Sequence, residues 1–272
     1  MQRWGLIQLS NGKVGIIIPC YNCEEYIEEA VLSCFNQYYE DFVVIVVDDC
    51  SSDNSLVVLE QFFEVAKYGN KFVCLKNDKN LGASESRNIA AKVALQMNCE
   101  FLLFHDADDV MTKNSIVDRI GIFGNPLVSL VYGDYYNLLE DGSVTYENKA
   151  DFNFHRLVED NYITCLSMTR TKLFHQVGGF NRYLTYCEDM SLWLRIAQFG
   201  IAIHVHSPCF YYRCNPNSQT RNINWEIYNA DREIVMNEVG LFLNKTTPEN
   251  LMLAQNKKLL LKERLNEPKN AS

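Results

Sequence analysis

The chain has 272 residues, of which 47% are hydrophobic and 22% charged, a composition typical of a globular protein with one large domain or one domain with appendages. Its formal net charge of −9 and its pI near 5.1 argue against a nucleic-acid-binding groove, because such grooves need clustered Lys and Arg. No apolar run approaches the roughly 20 residues of a membrane span, and residues 1–12 lack the apolar core of a secretory signal. We therefore expect a soluble, cytoplasmic protein.

The first half of the chain alternates short apolar runs with segments of helical periodicity. The predicted strands are 14–18, 42–47, 72–75 and 101–104, and the predicted helices are 24–36, 53–67 and 84–97. Strands that alternate with helices of this length imply right-handed crossovers between parallel strands. The predicted fold class is therefore α/β, with a mostly parallel central sheet covered on both faces.

The pattern changes after Asn125. Strands are predicted at 128–132 and 135–139, and Asp141-Gly142 predicts a hairpin turn before a strand at 143–146, so these strands are expected to be antiparallel additions. A helix at 190–199 with Gly200 as its stop, and a strand at 201–205, complete this half. We expect residues 1–222 to form a single domain, whose second half builds the second wall of a cleft.

The chain is predicted to be helical from Trp225, so residues 223–272 form a helical extension. Leu251 to Leu265 mixes leucines with basic residues, a pattern that could rest on an anionic membrane. We favour packing on the domain or on a second copy of the chain, which leaves both a homodimer and a peripheral membrane contact open.

Ten cysteines are scattered along the chain with a single Cys-x-x-Cys, at Cys20 and Cys23. A zinc site usually shows a second such pair, and Cys209 and Cys214 do not form one. We expect reduced thiols that serve mostly as small core residues. The five histidines show no metal-ligand spacing, and His204 and His206, on one face of a strand, are expected to pack rather than to bind a metal.

Three carboxylates, Asp106, Asp108 and Asp109, directly follow the apolar run Phe101–Phe104. They should lie at the carboxyl edge of the sheet, where open α/β sheets bind ligands. Like charges about 4 Å apart repel by about 1 kcal/mol in water and by several times more near a protein surface. Mg²⁺ or Mn²⁺ with an anionic substrate would offset that repulsion. The alternative is a solvated turn that caps the next helix.

A second acidic pair, Asp48 and Asp49, ends the second predicted strand and should face the same crevice. A carboxylate there can accept hydrogen bonds from a base or a ribose. Because no G-x-G-x-x-G opens the first helix, a Rossmann dehydrogenase is disfavoured.

Two further residues could contact a nucleotide at this edge. Tyr21, in the loop that begins at Pro19, could stack on a nucleobase or serve as a wall residue. Arg87 could neutralise a phosphate or form a structural pair with Asp48 or Asp49.

Four segments carry a family resemblance: the loop from Pro19, the strand end with Asp48 and Asp49, the segment that contains Arg87, and the acidic cluster after Phe104. In this order and spacing they resemble the family 2 glycosyltransferases of the GT-A fold, and the resemblance spans roughly residues 13–218. It implies a nucleotide-binding half at 13–125 and an acceptor-binding half at 126–222. It also implies that Asp49 lies beside uracil and that Asp106, Asp108 and Asp109 are the D-x-D region. Asp108 and Asp109 would then bind Mn²⁺ or Mg²⁺. The residues implied to bind the nucleotide-sugar are Pro19, Tyr21, Asp49, Arg87, Asp106, Asp108 and Arg213.

Two downstream segments extend the resemblance. Val177–Asn181, followed by Glu188–Arg195, resembles the family's acceptor-side segment, which implies Asp189 as catalytic base and Glu188 and Trp193 on the acceptor side. From the residues alone, Asp189 should lie at a helix N-terminus, exposed on a cleft, where a structural cap is the alternative.

The segment from Tyr212 to Ser218 resembles the family's late segment and makes Arg213 a candidate phosphate contact. Asn215 or Asn217 stands where the family often has a His, which puts an extra metal ligand in doubt.

The resemblance implies an inverting transfer from a nucleotide-diphosphate sugar, with UDP preferred over GDP or dTDP, to a hydroxyl of a glycan or lipid-linked acceptor. The family's usual setting is surface polysaccharide or lipopolysaccharide synthesis at the inner face of the cell membrane. A nucleotidyltransferase and a catalytically inactive nucleotide-sugar-binding protein are the alternatives.

Overall fold

Strands and helices alternate through the first half of the chain, as the hydrophobic periodicity predicts. The computed structural model describes residues 12–64, 68–216, 218, 221–242, 252, 254–259 and 261–262. The first four strands are β1 (Val14–Cys20), β2 (Phe42–Asp48), β3 (Phe72–Lys76) and β4 (Phe101–Phe104). The helices between them are α1 (Ile27–Phe35), α2 (Ser55–Glu64) and α3 (Ala83–Gln96).

The second half adds shorter and longer elements around this core. Its strands are β5 (Val110–Met111), β6 (Val128–Leu138), β7 (Val144–Glu147), β8 (Met168–Arg170) and β9 (Ile201–Arg213). Its helices are α4 (Val117–Ile120), α5 (Phe154–Glu159), α6 (Thr171–Gln176), α7 (Glu188–Ile196) and α8 (Trp225–Phe242).

All the strands belong to one sheet in the order β3-β2-β1-β4-β8-β6-β9-β5, with β7 paired to β6. The first four are parallel to one another, and β2 and β4 are buried at every position, as expected for strands covered on both faces. The predicted α/β fold, a mostly parallel sheet with an antiparallel addition, is confirmed. The carboxyl ends of β1, β2 and β4 lie at one edge and form the crevice where the site is built.

The prediction of separate strands at 128–132 and 135–139 is wrong, because they form the single strand β6. Its pairing with β9 shifts register around Gly133 and Asp134. A side chain at residue 133 would collide with the Cys209 sulfur, so glycine permits the close approach of the two strands there. β9 is also longer than predicted and runs parallel to β6, whereas β7 and β8 pair with β6 antiparallel.

Cys20 and Cys23 form a disulfide, with their Cα atoms 6.1 Å apart, so the prediction that they are reduced thiols is wrong. Asn22, with φ of 50°, turns the loop so that the two cysteines come within the usual reach of a disulfide. The other eight cysteines are free; six of them are buried, as predicted for small core residues.

Helix α8 packs on α7 through the buried side chains of Ile234, Val235 and Val239. On the same helix the buried carboxylate of Asp231 accepts hydrogen bonds from the backbone N–H groups of Thr185 (2.9 Å) and Tyr186 (2.7 Å). These contacts tie α8 to the loop that precedes α7. A domain boundary at residue 222 stays a prediction.

The basic segment from Leu251 to Leu265 is helical at residues 252, 254–259 and 261–262, and the rest of it lies outside the described residues. Lys258, one of its basic residues, is only 1% exposed and lies beside Asp231. That lysine therefore faces the protein. Within the described residues no helix has both the length and the hydrophobicity that a membrane crossing requires.

Candidate active site

A cavity of about 670 Å³ opens at the carboxyl edge of β1, β2 and β4. This volume lies within the usual range of small-molecule sites. The sequence-predicted residues that line the cavity are Pro19, Tyr21, Asp49, Arg87, Asp106, Asp108, Glu188 and Asp189. The structure therefore brings the two halves of the predicted site to one crevice, while Asp109, Trp193 and Arg213 lie outside its lining.

Tyr21 projects from the loop after β1 at the rim of the cavity and is 51% exposed. The loop is fixed to the start of α2, because Asn22 Oδ1 accepts a hydrogen bond from the backbone N–H of Ser52 (2.8 Å). Tyr21 thus offers an accessible ring on a held loop, a geometry compatible with stacking on a base.

Asp49 is buried and organises the turn before α3. Its Oδ1 accepts hydrogen bonds from Asn77 Nδ2 (2.7 Å) and the Leu81 N–H (2.8 Å), and its Oδ2 accepts one from the Gly82 N–H (2.7 Å). Gly82 has φ of 86°, a conformation that favours glycine. A carboxylate accepts about four hydrogen bonds, so Asp49 keeps about one for a ligand. Sequence reasoning missed Asn77, which no local pattern distinguishes.

Arg87 projects from α3 and joins the two walls of the cavity. Its Nη2 lies 2.7 Å from Asp106 Oδ1, and its Nη1 lies 3.2 Å from Glu188 Oε1. The predicted alternative, a pair with Asp48 or Asp49, is not what the structure shows. Burial disfavours the charge of Arg87, yet the two carboxylates hold its pKa above the usual range. Arg87 Nε is buried without a partner among the described residues.

The acidic cluster after β4 shows the repulsion that its sequence predicts. Burial and the neighbouring Asp106 raise the pKa of Asp108 to about 6. Burial and the carboxylates of Asp108 and Asp106 raise the pKa of Asp109 well above its usual range. Asp109 Oδ1 accepts the Arg213 N–H (2.9 Å), whereas its Oδ2 is buried without a hydrogen-bond partner in the described part of the chain.

Arg213, the last residue of β9, contacts this acidic cluster. Its Nε donates to the backbone carbonyl of Asp108 (2.9 Å), and its Nη2 lies 2.6 Å from Glu29 Oε2. The guanidinium also lies over the ring of Tyr26 at 5.0 Å. These contacts fix Asp108 and Asp109 in place. The phosphate contact of Arg213 stays a prediction. Asn215 lines the cavity, and Asn217 lies outside the described residues.

Asp189 stands in the first turn of α7, as predicted, on the opposite wall of the cavity, where it is half-buried. Within the described residues it accepts two hydrogen bonds, from Asn161 Nδ2 (2.8 Å) and from the Met190 N–H (2.7 Å), and both reach Oδ1. Oδ2 is therefore available to a ligand. Burial raises the pKa of Asp189, and these two hydrogen bonds oppose that rise.

Glu188 lies beside Asp189 on the same turn. Burial and the charge of Asp189 raise the pKa of Glu188 to about 7, and Arg87 opposes that rise. Because its carboxylate pairs with Arg87, Glu188 links α7 to the acidic strand end. Glu188 is thus bound to Arg87 across the cavity, whereas Asp189 has one carboxylate oxygen that faces the cavity.

Trp193 does not lie on the acceptor side of the cavity, contrary to expectation. It is fully buried against Phe104 and Phe180, and its Nε1 donates to the backbone carbonyl of Thr164 (3.3 Å), a residue of the cavity lining. Trp193 lies one turn beyond Asp189 on the same side of α7, where the helix has entered the core and every residue from Met190 to Ile196 is buried. Trp193 is therefore a packing residue that holds the cavity wall.

Trp193→Ala should lower the free energy of unfolding by about 3–5 kcal/mol, because it leaves a large void in the core. Trp193→Phe should lower it by much less while preserving the ligand-binding residues. Urea denaturation followed by circular dichroism measures both. Equal stability of wild type and Trp193→Ala would contradict this packing role.

Asn161 is a second polar residue that sequence reasoning missed, because it stands in a loop with no recognisable pattern. Asn161→Ala removes a hydrogen bond to the ionised form of Asp189 and should raise the pKa of that carboxyl. If Asp189 acts as a base, the pH below which the rate falls should rise in this variant. A pH–rate profile tests this, with the exposed Asn70→Ala as control; a profile identical to wild type would contradict it.

The comparisons with known proteins agree with this geometry. The family model described as glycosyl transferase family 2 matches residues 15–183. Two Escherichia coli relatives are the UDP-Glc:alpha-D-GlcNAc-diphosphoundecaprenol beta-1,3-glucosyltransferases WfaP and WfgD. WfaP is 28% identical to this chain over 214 residues, which cover 77% of this chain and 80% of WfaP. WfgD is 28% identical over 213 residues, which cover 77% of this chain and 80% of WfgD.

Solved structures show the same fold. The S. aureus protein TarS 1–349 in complex with UDP superposes with a TM-score of 0.65 and 21% identity, over 91% of this chain and 70% of that one. The mannosyltransferase PcManGT from Pyrobaculum calidifontis, in complex with GDP-Man and Mn²⁺, gives a TM-score of 0.63 and 16% identity, over 92% of this chain and 70% of the other. With the family model spanning more than half of its length, the chain belongs to glycosyl transferase family 2 and is a glycosyltransferase of the GT-A fold.

Proposed function

We propose that this chain transfers a sugar with inversion from a UDP-sugar to a hydroxyl of a lipid-linked or glycan acceptor. The observation that carries the proposal is the arrangement of the two walls. One wall holds the carboxylates of Asp106 and Asp108, which adjoin the buried Asp109, and the other presents Asp189 at a helix N-terminus. Arg87 contacts both walls, so the donor and acceptor sides are separated by a single guanidinium.

The donor side supports a nucleotide. Tyr21 offers a ring for stacking on the base, and Asp49 retains about one acceptor position for a base or ribose group. UDP is favoured because the names of WfaP and WfgD specify UDP-Glc and TarS was crystallised with UDP. GDP is the alternative that PcManGT, crystallised with GDP-Man, suggests.

The acidic cluster fits a divalent cation, Mn²⁺ or Mg²⁺. Asp109 Oδ2 is buried with no hydrogen-bond partner among the described residues, and Asp108 is half-buried beside two other carboxylates. A hard cation with oxygen ligands would satisfy both observations, and Asp108 and Asp109 are the residues that would hold it. When bound, the cation neutralises charge that develops on the departing diphosphate. PcManGT was crystallised with Mn²⁺.

On the acceptor side, Asp189 would remove the proton from the attacking hydroxyl. Its Oδ1 is held by Asn161 and by the Met190 N–H, which leaves Oδ2 to accept the proton as the new bond forms at the anomeric carbon. A single base and direct displacement invert that carbon, so an α-linked donor gives a β-linked product. The β-1,3 linkage in the names of the two E. coli relatives agrees with this stereochemistry.

The acceptor is proposed to be a sugar linked to a lipid diphosphate, in surface polysaccharide or lipopolysaccharide synthesis. WfaP and WfgD are named for a GlcNAc-diphosphoundecaprenol acceptor. An acceptor of this kind places the enzyme at the inner face of the cell membrane by peripheral contact. The C-terminal helices are the proposed contact between two copies of the chain if it forms a homodimer.

The test is transfer from UDP-Glc, UDP-GlcNAc and GDP-Man, each with Mn²⁺, to a short-chain lipid diphosphate that carries α-GlcNAc. We expect a product with a new β-glycosidic bond, identified from its anomeric proton coupling by NMR. Asp189→Asn serves as the enzyme blank. An α-linked product would contradict the inverting mechanism, and transfer from GDP-sugars alone would contradict the choice of UDP.

A further inference from the structure

A second polar cluster lies where β6, β9 and the segment after β7 meet, and the mechanism proposed above does not use it. Asp134, His204 and His206 can each bring one ligand atom to within 4.8 Å of the others. Asp151 joins them, with its Oδ1 at 3.2 Å from His204 Nδ1 and 3.4 Å from His206 Nε2. The sequence predicts packing for the two histidines, whereas the structure turns both rings toward one carboxylate.

The two carboxylates have different positions in this cluster. Asp134 is fully buried, and its Oδ1 lies 2.7 Å from His204 Nε2 while it accepts the Lys149 N–H (2.7 Å); its Oδ2 accepts the hydroxyl of Tyr146. Asp134 is thus held by three hydrogen-bond contacts and fixes the ring of His204. Asp151 is exposed, with 80% of its side chain accessible, and faces the remaining nitrogen of that ring.

The hydrogen bonds in this cluster cannot all be formed, because one contact joins two acceptors. If His204 Nε2–H donates to Asp134, the neutral imidazole presents a lone pair at Nδ1 to the carboxylate oxygen of Asp151. His206 Nε2 faces the same oxygen. A neutral His206 can donate through Nε2–H, so the conflict lies at His204 Nδ1, which faces Asp151 with a lone pair. A cation among His204 Nδ1, His206 Nε2 and Asp151 Oδ1 would use all three atoms as ligands and remove the conflict.

The distances fit a transition metal. Ligand atoms about 2.1 Å from a tetrahedral ion lie about 3.4 Å from one another. Asp151 Oδ1 lies 3.2 Å from His204 Nδ1 and 3.4 Å from His206 Nε2, close to that distance between ligand atoms. The buried contact from His204 to Asp134 matches the carboxylate–histidine–metal arrangement, in which the second ring nitrogen donates to a carboxylate that fixes the tautomer.

We propose that His204 Nδ1, His206 Nε2 and Asp151 form a zinc-binding site, with Asp134 as the residue that orients His204. Two imidazoles and one carboxylate are a common zinc ligand set, and a fourth position remains for water. The ion would hold the segment around Asp151 against β9. That segment includes Lys149, which lines the active-site cavity, so the site would also stabilise the acceptor wall.

Zinc titration by calorimetry tests the site in the protein that carries Asp108→Asn, because that change removes a ligand of the proposed donor-side metal. We expect one zinc ion per chain. His206→Ala and Asp151→Asn alter exposed side chains, so they should preserve the fold and weaken this binding by at least about tenfold, and Asp134→Asn should weaken it about 10- to 100-fold. His155→Ala, at an exposed histidine outside the cluster, should change nothing.

Cobalt substitution identifies the ligands. The proposal predicts visible absorption of tetrahedral Co²⁺ without a thiolate-to-cobalt charge-transfer band, and the loss of that absorption in His206→Ala. Binding of equal strength in His206→Ala, Asp151→Asn and their parent would overturn the site, as would a thiolate band from cysteine ligation. The absence of zinc binding would overturn the proposal as well.

Discussion

Asp189→Asn is expected to reduce sugar transfer by about 10²- to 10⁴-fold, the usual contribution of a general base. Asparagine keeps the shape of the side chain and can still accept hydrogen bonds from Asn161 and the Met190 N–H, but it cannot take a proton. Donor nucleotide binding should be unchanged, because Asp189 lies on the wall opposite Asp108. Steady-state kinetics and calorimetric UDP titration separate the two effects.

The matched control is Asp160→Asn, a change at an exposed carboxylate next to Asn161 that should leave turnover unaltered. Burial raises the pKa of Asp189, so a neutral side chain there should not destabilise the fold, and a loss of turnover with normal stability isolates the chemistry. Transfer at the wild-type rate in Asp189→Asn would remove this residue as the base.

Asp108→Asn is expected to abolish the part of nucleotide binding that depends on Mn²⁺. The substitution leaves the position polar but removes the negative charge and a ligand oxygen that a hard cation prefers. Calorimetric titration of UDP with and without Mn²⁺ measures the difference directly. The exposed Asp78→Asn is the control, and an unchanged metal dependence in Asp108→Asn would contradict the assignment of the acidic cluster.

The same variant should change how stability depends on pH in the metal-free protein. Burial and Asp106 raise the pKa of Asp108 from 3.8 to about 6. A carboxyl whose pKa is higher in the folded state favours folding while it is protonated, and that contribution is lost as the pH rises from about 4 through 6. Wild-type stability should therefore fall over this range more steeply than that of Asp108→Asn, which thermal denaturation can test.

The features that could be predicted are the strands and helices whose hydrophobic pattern lies within a short stretch of sequence. The apolar runs 42–47 and 101–104 identify buried strands, and their carboxyl ends place Asp49 and Asp108 at one edge of the sheet. The position of Asp189 at the start of α7 likewise follows from the helical periodicity of its own segment.

Long-range pairing explains what could not be predicted. Arg87 contacts Glu188 across 101 positions of the chain, and no local pattern distinguishes that partner from Asp48 or Asp49. The union of two predicted strands into β6 depends on its register with β9, which only the tertiary fold sets. The buried position of Trp193 depends in the same way on tertiary packing, which covers α7 on every side from Met190 to Ile196.

The central claim is that the crevice binds a nucleotide-diphosphate sugar through a divalent cation. The most direct measurement is calorimetric titration of the wild-type protein with UDP, GDP and dTDP, each with and without Mn²⁺. The account predicts that UDP binds in preference to GDP and dTDP, and that removal of the metal greatly weakens the binding. Binding of none of the three nucleotides in the presence of Mn²⁺ would contradict the account.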